Sequence, residues 1–435
     1  MLNRKYLFDI IIESLFSDRA LDTYVEDTKV KDSSKMNYET VDWSSIVTEL
    51  DQQAVLGITS LVLQQKGRKG MPDELMCHIT KRRRQVIMRS TQIAVLQNKI
   101  WRVLYDHGIA VAVIKGMASA VYYPYPFIRT MGDIDLIVNP ENFQMAVQTL
   151  LEFGLKKSIG SDTYHAVMEK EGYIIELHQS PASVHKDIHG NYIREFILSG
   201  LNDVEMATVE KYCFPMLPWQ QNGMELIWHI RQHLYNGLGL RHIIDWMMFV
   251  DHCLDDQRYI EFEPELKKCG LLNLAATVTK MCQMYLGLRA DGISWCGEVD
   301  EKLCEELMDY ILEQGDFGKK KLDDKAAKVL TGYSDIGMLL REIQRKGETE
   351  WEVTKKCPVL KPFSWIYELS HLGRNGFQIN DIFRGYKLAR KRKRMFGMLY
   401  TMEKKRRKAV LKGRSKSRNS KKPLTLNYSL FVYIR

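Results

Sequence analysis

The sequence predicts an α+β fold in which the strands lie in a central stretch and helices occupy both flanks. Short apolar runs rich in β-branched residues stand at Ile109–Ile114, Ile134–Val138 and Ile174–Leu177, too short for helices and suited to buried strands. The hundred residues before them, and the stretch from about Gln220 to Tyr310, are rich in helix formers. At 435 residues and 45% hydrophobic content, the chain can bury a substantial core and form two or three packed units.

Taken in order, a helix is expected from Trp43 to Gln65 and another from Glu74 to Tyr105, the second stopped by His107-Gly108. Its Lys81-Arg82-Arg83-Arg84 run reads first as a solvated face and second as a binding surface. The strand Ile109–Ile114 delivers the chain to Lys115-Gly116, and a short helix from Met117 to Tyr122 ends before Pro124 and Pro126. After the strand at 134–138, Asn139-Pro140-Glu141 has the chemistry of a helix start, with Asn at the cap and Pro in the first turn. That helix runs from Phe143 to Phe153 and closes at Gly154. A strand carrying Glu176 follows, then the second helical region. Residues 311 to 380 read as mostly helical with no assignable chemistry. No internal repeat is evident.

The chemistry concentrates in Met131-Gly132-Asp133-Ile134-Asp135-Leu136-Ile137-Val138 and Ile174-Ile175-Glu176-Leu177-His178. Strand side chains alternate faces, so Asp133 and Asp135 share one side, and Glu176 and His178 share one side of theirs. If the two strands are neighbours, three carboxylates converge. Clustered carboxylates at the edge of an apolar sheet repel one another and need compensating positive charge. Mg²⁺ (or Mn²⁺) is the natural candidate, because it takes oxygen ligands from one or two carboxylates and from substrate phosphates. Two such ions would clamp the attacking and leaving oxygens of an in-line phosphoryl displacement. An Asp-x-Asp pair alone is common; Gly132 before it, the apolar strand after it and the third carboxylate in a second strand set this one apart. Replacing Asp133 and Asp135 together by Asn is expected to leave the fold intact or firmer, by relieving their repulsion.

Ile114-Lys115-Gly116-Met117-Ala118, Tyr122-Tyr123-Pro124, Arg129, Gly132-Asp133-Ile134-Asp135-Leu136, His165 and Glu176-Leu177-His178 together resemble the uncharacterised nucleotidyltransferase family, within the DNA polymerase beta-like nucleotidyltransferase superfamily. The similarity spans about residues 45 to 290. It implies a small mixed β-sheet flanked by helices, with Asp133, Asp135 and Glu176 as catalytic and metal-binding carboxylates. The implied reaction transfers a nucleoside monophosphate from an NTP, ATP included, to an acceptor hydroxyl, with release of pyrophosphate. The superfamily usually opens the helix before its Asp-x-Asp strand with Gly-Ser; here the segment reads Lys115-Gly116-Met117-Ala118-Ser119. Gly116 still permits close backbone approach to a phosphate. Lys115 could bring a cation, Arg129 a bidentate contact, and Gly132 belongs to the same nucleotide-binding set. The plainer readings are a solvated lysine at a strand end and a structural ion pair for Arg129.

Glu176 is the first choice for the base that deprotonates the acceptor and His178 the second; His178 reads equally as a hydrogen-bonded core histidine. His165, Arg241 and Asp245 are further candidates for acceptor or supporting contacts, an intrahelical Arg241–Asp245 pair being the plainer reading for the last two. His229 and His233, four apart on one helix face, could hold a metal, but no His-Glu-x-x-His pattern or third ligand is evident, and packing or substrate contact is the preferred reading. The resulting organisation is a helical region 1–107, a nucleotidyltransferase core 108–215, a helical domain 216–383 and a basic tail 384–435. The acceptor's class, whether small molecule, sugar, protein or RNA, is not written in these motifs.

The overall charge of +9 hides an uneven distribution. Between Arg384 and Lys422 lie 18 Lys or Arg and one Glu, so the remainder of the chain is net acidic. Such a tail could contact nucleic acid or an anionic membrane surface, or extend into solvent. The N-terminal residues lack the apolar stretch of a signal peptide and no run of 18 apolar residues occurs, so a cytoplasmic location is expected. The eight cysteines form no Cys-x-x-Cys pair, which argues against a zinc ribbon or disulfide framework. No His-Arg-Asp catalytic loop is present, which makes a kinase the weaker reading. A non-catalytic nucleotide- or nucleic-acid-binding protein that retains the nucleotidyltransferase fold is the alternative function, motivated by the altered Gly-Ser position.

Overall fold

The computed structural model describes residues 2–16, 41–66, 70–158, 165–181, 188–290, 292–297 and 299–318, with shorter pieces between 320 and 399. They fall into two compact units, Met1–Phe317 and Gly318–Arg435. The first holds every candidate site residue.

It opens with helices α1 (Leu2–Leu15), α2 (Trp43–Gln52) and α3 (Leu56–Lys66). The segment expected to form one helix from Trp43 to Gln65 is broken at Ala54, whose φ of 58° lies in the left-handed region. A tertiary contact accompanies the break: the Gln53 amide, wholly buried beside it, donates to the Ile311 carbonyl at 3.2 Å and accepts from the Leu240 N–H at 3.0 Å. Helix α4 (Asp73–Asp106) has Asp73 and Glu74 in its first turn, where the helix dipole favours acids, and it stops at His107 as expected. Two residues of its basic run are tied to α2 and α3, Arg82 to Asp51 at 3.0 Å and Arg83 to Gln64 at 2.5 Å.

Strand β1 (Val111–Ile114) and the short helix α5 (Gly116–Ala120) lead to β2 (Ile134–Val138). Pro140–Asn142 forms a 3-10 turn before α6 (Phe143–Glu152). Asn139 accepts the Asn142 N–H through its backbone carbonyl, at 3.0 Å, and its side chain makes no cap bond. There follow β3 (Lys156–Lys157), β4 (His165–Lys170), β5 (Tyr173–His178), α7 (Ile188–Ser199), β6 (Glu205–Val209) and β7 (Tyr212–Met216). Helices α8 (Trp219–Asn236), α9 (Leu240–Cys253), α10 (Arg258–Lys268), α11 (Leu272–Tyr285) and α12 (Glu301–Gln314) complete this unit.

Among the described residues the strands make one seven-stranded mixed sheet, in the order β3-β4-β5-β2-β1-β7-β6. The fold is α+β with helical flanks, as the sequence predicts. β2 runs parallel to β5 and β1 parallel to β7, and the other neighbours are antiparallel. Alternation divides the sheet chemically. Val111, Val113, Ile134, Leu136, Ile175 and Leu177 join the main core with Ile93, Ile100 and Leu104 of α4 and Leu150 of α6. Asp135, Glu176 and His178 occupy the opposite face, held in place by the burial of their neighbours in sequence.

Against α9 lies α8, and the contact depends on Gly223: a Cβ there would fall 2.3 Å from Phe249 Cζ. Trp228, Trp246, Phe249 and Phe262 fill this helical layer and are almost fully buried. No helix among the described residues is long and apolar enough to cross a membrane. In the second unit, residues 390–399 are helical, with Met395, Phe396 and Leu399 buried. The basic run Arg390 to Arg394 lies on this helix, with Arg392 itself buried. The second basic cluster, Lys404 to Lys408, and the apolar residues 424–434 lie beyond residue 399, outside the described residues.

Candidate active site

The site is built where β1, β2 and β5 end on the polar face of the sheet. Asp135 of β2 pairs in register with Glu176 of β5, and Ile114 of β1 stands opposite Asp135 on the other side. Lys115 follows Ile114 directly, which brings its Nζ to 2.9 Å from Asp135 Oδ1. His178 Nε2 lies 3.0 Å from the same oxygen and 3.5 Å from Glu176 Oε2. One buried carboxylate oxygen thus receives two cationic donors.

Lys115 reaches this position from a backbone with φ 54° and ψ −140°. A non-glycine residue there carries strain of order 1–3 kcal/mol, which persists only where surrounding structure holds it. The Lys115–Asp135 bond and the glycine that follows, Gly116 at φ 27°, are what hold it. Gly132 is exposed, and its carbonyl accepts from Arg89 at 2.6 Å.

The charges do not balance evenly. Burial opposes ionisation of Asp135, but Lys115 and His178 outweigh it and hold its pKa well below the usual carboxylate range. Burial likewise disfavours the charged form of Lys115, and Asp135, Glu225 and Glu176 together outweigh it, so the ammonium is retained. His178 is pushed toward neutrality by burial, yet its bonds to Asp135 and Glu176 raise its pKa to about 9. It is an imidazolium at neutral pH, a donor rather than a base. Asp133, just before β2, is raised to about 7 by burial and then by the charges of Asp135 and Glu176. Glu225 on α8 is raised to about 6 by burial, against the pull of Lys115 and His178.

Glu225 is a fourth carboxylate that motif reading did not single out. It is 2% exposed, and its Oε2 has no hydrogen-bond partner. Its only sequence signal is its place four residues before His229, on the face of α8 that carries His229 and His233.

Arg129, 1% exposed, makes a bidentate pair with Asp245 of α9, at 2.7 Å and 2.6 Å. Tyr123 donates to the same carboxylate at 2.7 Å. The Arg129 guanidinium is therefore committed to joining the loop before β2 to the helical layer. Asp245 bonds across the fold and not to Arg241, whose nearest acidic partner is Asp316 at 3.5 Å. Arg241 has a buried Nε without a partner, and its charge reaches Asp133, whose pKa it lowers. His165 pairs with His178 across β4 and β5, their rings stacked at 5.4 Å.

The donor set fits a hard divalent cation. Asp135 and Glu176 offer carboxylate oxygens within 4.8 Å of each other, and His178 donates to both. Burial first, and then the charges of Asp135 and Glu176, raise Asp133 against the pull of Lys115 and Arg241, and added positive charge nearby would lower it. Glu176, with 21% of its side chain exposed, opens the cluster to solvent.

A thermal consequence follows from Asp133. Its folded-state pKa lies above the ordinary 3.8, so its neutral form is favoured by folding; that stability is fully present below about pH 4 and is lost as pH rises through about 7. In chelator, Asp133→Asn is expected to raise the melting temperature at pH 8, with the gain shrinking through pH 7 and vanishing near pH 4. An unchanged difference across that range would refute the assignment.

Two neighbouring strands thus bring Asp135 and Glu176 together, with Asp133 just before the first of them and Lys115 at the adjoining strand end. The sequence profile of the uncharacterised nucleotidyltransferases matches residues 39–287, and the chain belongs to that family. No curated protein sequence matches the chain.

Proposed function

We propose that this nucleotidyltransferase moves a nucleoside monophosphate from an NTP to an acceptor hydroxyl and releases pyrophosphate. The observation that carries this is the parallel register of Asp135 with Glu176, with Asp133 two residues before Asp135, just ahead of the same strand. Three carboxylates on two adjacent strand ends are costly to a fold that needs no cation.

In this reading Asp133, Asp135 and Glu176 hold Mg²⁺ or Mn²⁺, which would stabilise charge on the reacting phosphoryl oxygens. Lys115 fixes the Asp135 carboxylate and returns the strained backbone at 115–116 to one geometry. Arg241, on the helix facing Asp133, supplies positive charge for the triphosphate. Glu176 is the group that accepts the acceptor hydroxyl's proton: it is the solvent-facing carboxylate of the cluster, and the charged state of His178 leaves that imidazole as a donor to the carboxylates. Arg129 and Asp245 act at a distance, as the brace that sets α9 against the sheet.

The test is label transfer from α-labelled NTPs with Mg²⁺ or Mn²⁺ into a cell extract. Wild type should transfer label; Asp133→Asn and Glu176→Gln, checked for folding by circular dichroism, should each lose at least a hundredfold. That matches the weight of a charge-stabilising group in a transition state. Absence of transfer together with absence of metal-dependent NTP binding would favour a non-catalytic binding protein on the same fold.

A further inference from the structure

The turn between α8 and α9 gathers a second set of ligands, chemically unlike the first. His229 and His233 lie one helical turn apart on α8, and their Nε2 atoms are 2.8 Å apart. His242, the third residue of α9, folds back so that its ring stacks on His233 at 4.4 Å and meets His229 edge-on at 5.1 Å. One ligand atom from each of the three lies within 4.8 Å of the others. Gly239 permits the return: a Cβ there would come within 2.7 Å of the Asp316 backbone.

We propose that His229, His233 and His242 form a binding site for a transition-metal ion of the zinc class, separate from the carboxylate cluster. Both ring nitrogens of His242, which is 2% exposed, lack a hydrogen-bond partner, as does Nδ1 of His233. Buried polar groups left unpaired are destabilising, so a packing role alone does not account for this cluster. Imidazole nitrogen is a preferred ligand of zinc, copper and nickel, whereas magnesium selects oxygen. Burial, reinforced by neighbouring imidazoles and Arg241, holds these rings in the neutral, ligand-competent form.

The dimensions require little movement. Two Zn–N bonds of about 2.0–2.1 Å at a tetrahedral angle place the nitrogens about 3.3 Å apart, so His229 and His233 would separate by about half an ångström. Asp316 Oδ1 stands 3.5 Å from His242 Nδ1, the position from which a carboxylate orients a metal-bound histidine. Phe317, more than half exposed, places its ring 5.0 Å from His233 and 5.8 Å from His242, so the cluster has a solvent side. Three histidines leave a fourth position for water or an exogenous ligand.

The experiment uses the full chain, stripped with chelator and titrated with Co²⁺ in excess Mg²⁺. One equivalent should bind with the intense visible bands of tetrahedral nitrogen coordination, and Zn²⁺ should displace it. His242→Gln and His229→Gln should each weaken Co²⁺ binding at least tenfold, while Glu176→Gln should retain the bands. Weak octahedral bands in the wild type, or no tight equivalent, would overturn the proposal without any variant. Bands lost in Glu176→Gln but kept in both histidine variants would place the ion at the carboxylates and overturn it as well. The proposal does not rest on nucleotidyl transfer, since label transfer and Co²⁺ binding at these imidazoles can each fail alone.

Discussion

Asp135→Asn is expected to destabilise the first unit by about 3–5 kcal/mol at neutral pH, the loss typical of a buried ion pair broken on one side. The variant leaves Lys115 buried with its ammonium against a neutral amide, and it removes one of the two negative charges that keep His178 protonated. The sequence suggested that Asp133 and Asp135 would behave alike, each relieved by neutralisation. The structure separates them. Asp133 is the carboxylate whose charge is opposed by its surroundings, and Asp135 is the one whose charge its surroundings require.

The pH dependences of the two variants therefore have opposite signs. Asp135 has a depressed folded-state pKa, so its contribution is present above the ordinary carboxylate value and is lost as pH falls below it. Denaturant midpoints at pH 7 should fall for Asp135→Asn, and the difference from wild type should close as pH drops below about 4. Lys115→Met combined with Asp135→Asn should recover part of the loss, because the unpaired ammonium is then gone. A variant as stable as wild type at pH 7 would mean that Lys115 and His178 find other partners and that Asp135 is not the centre of the charge network.

This pair of residues also marks how far the sequence could be read. The face shared by Asp135, Glu176 and His178 follows from strand alternation, and the neighbouring strands needed for convergence are present as β2 and β5. What alternation cannot show is which cation lies against which oxygen. Lys115 reaches Asp135 through a positive φ that no local pattern announces, and Glu225 and His242 arrive from helices 90 and 107 residues beyond Asp135 in the sequence. The β6–β7 hairpin escaped for a simpler reason. Its turn is Glu210-Lys211, with Glu210 at φ 54°, so the glycine or asparagine that usually marks a two-residue hairpin is missing. By contrast, β4 and β5 are joined through Glu171-Gly172 with both φ values positive, and there the glycine was available as a signal.

Arg129 and Asp245 illustrate the same limit with the second large effect. Each was legible as a charged residue near the site, but their pairing joins a loop before β2 to the middle of α9, 116 residues away. The guanidinium is 1% exposed, so Asp245→Asn would leave an uncompensated buried cation and give the Tyr123 hydroxyl a neutral acceptor in place of a charged one. A loss of about 3–5 kcal/mol is expected, with Tyr123→Phe alone costing about 1.5–3 kcal/mol as a hydrogen bond to a charged group. Arg129→Met with Asp245→Leu should be milder than Asp245→Asn, because replacing both charges removes the desolvation penalty along with the attraction. A double-mutant cycle on denaturant midpoints gives the coupling directly. Arg241 and His242 lie within four residues of Asp245 on α9, so the brace fixes their placement as well as the stability of the layer. If Asp245→Asn costs less than 1 kcal/mol, or if the double replacement costs more than the single one, the pair is not the brace that the geometry describes, and α9 must be positioned by its apolar packing alone.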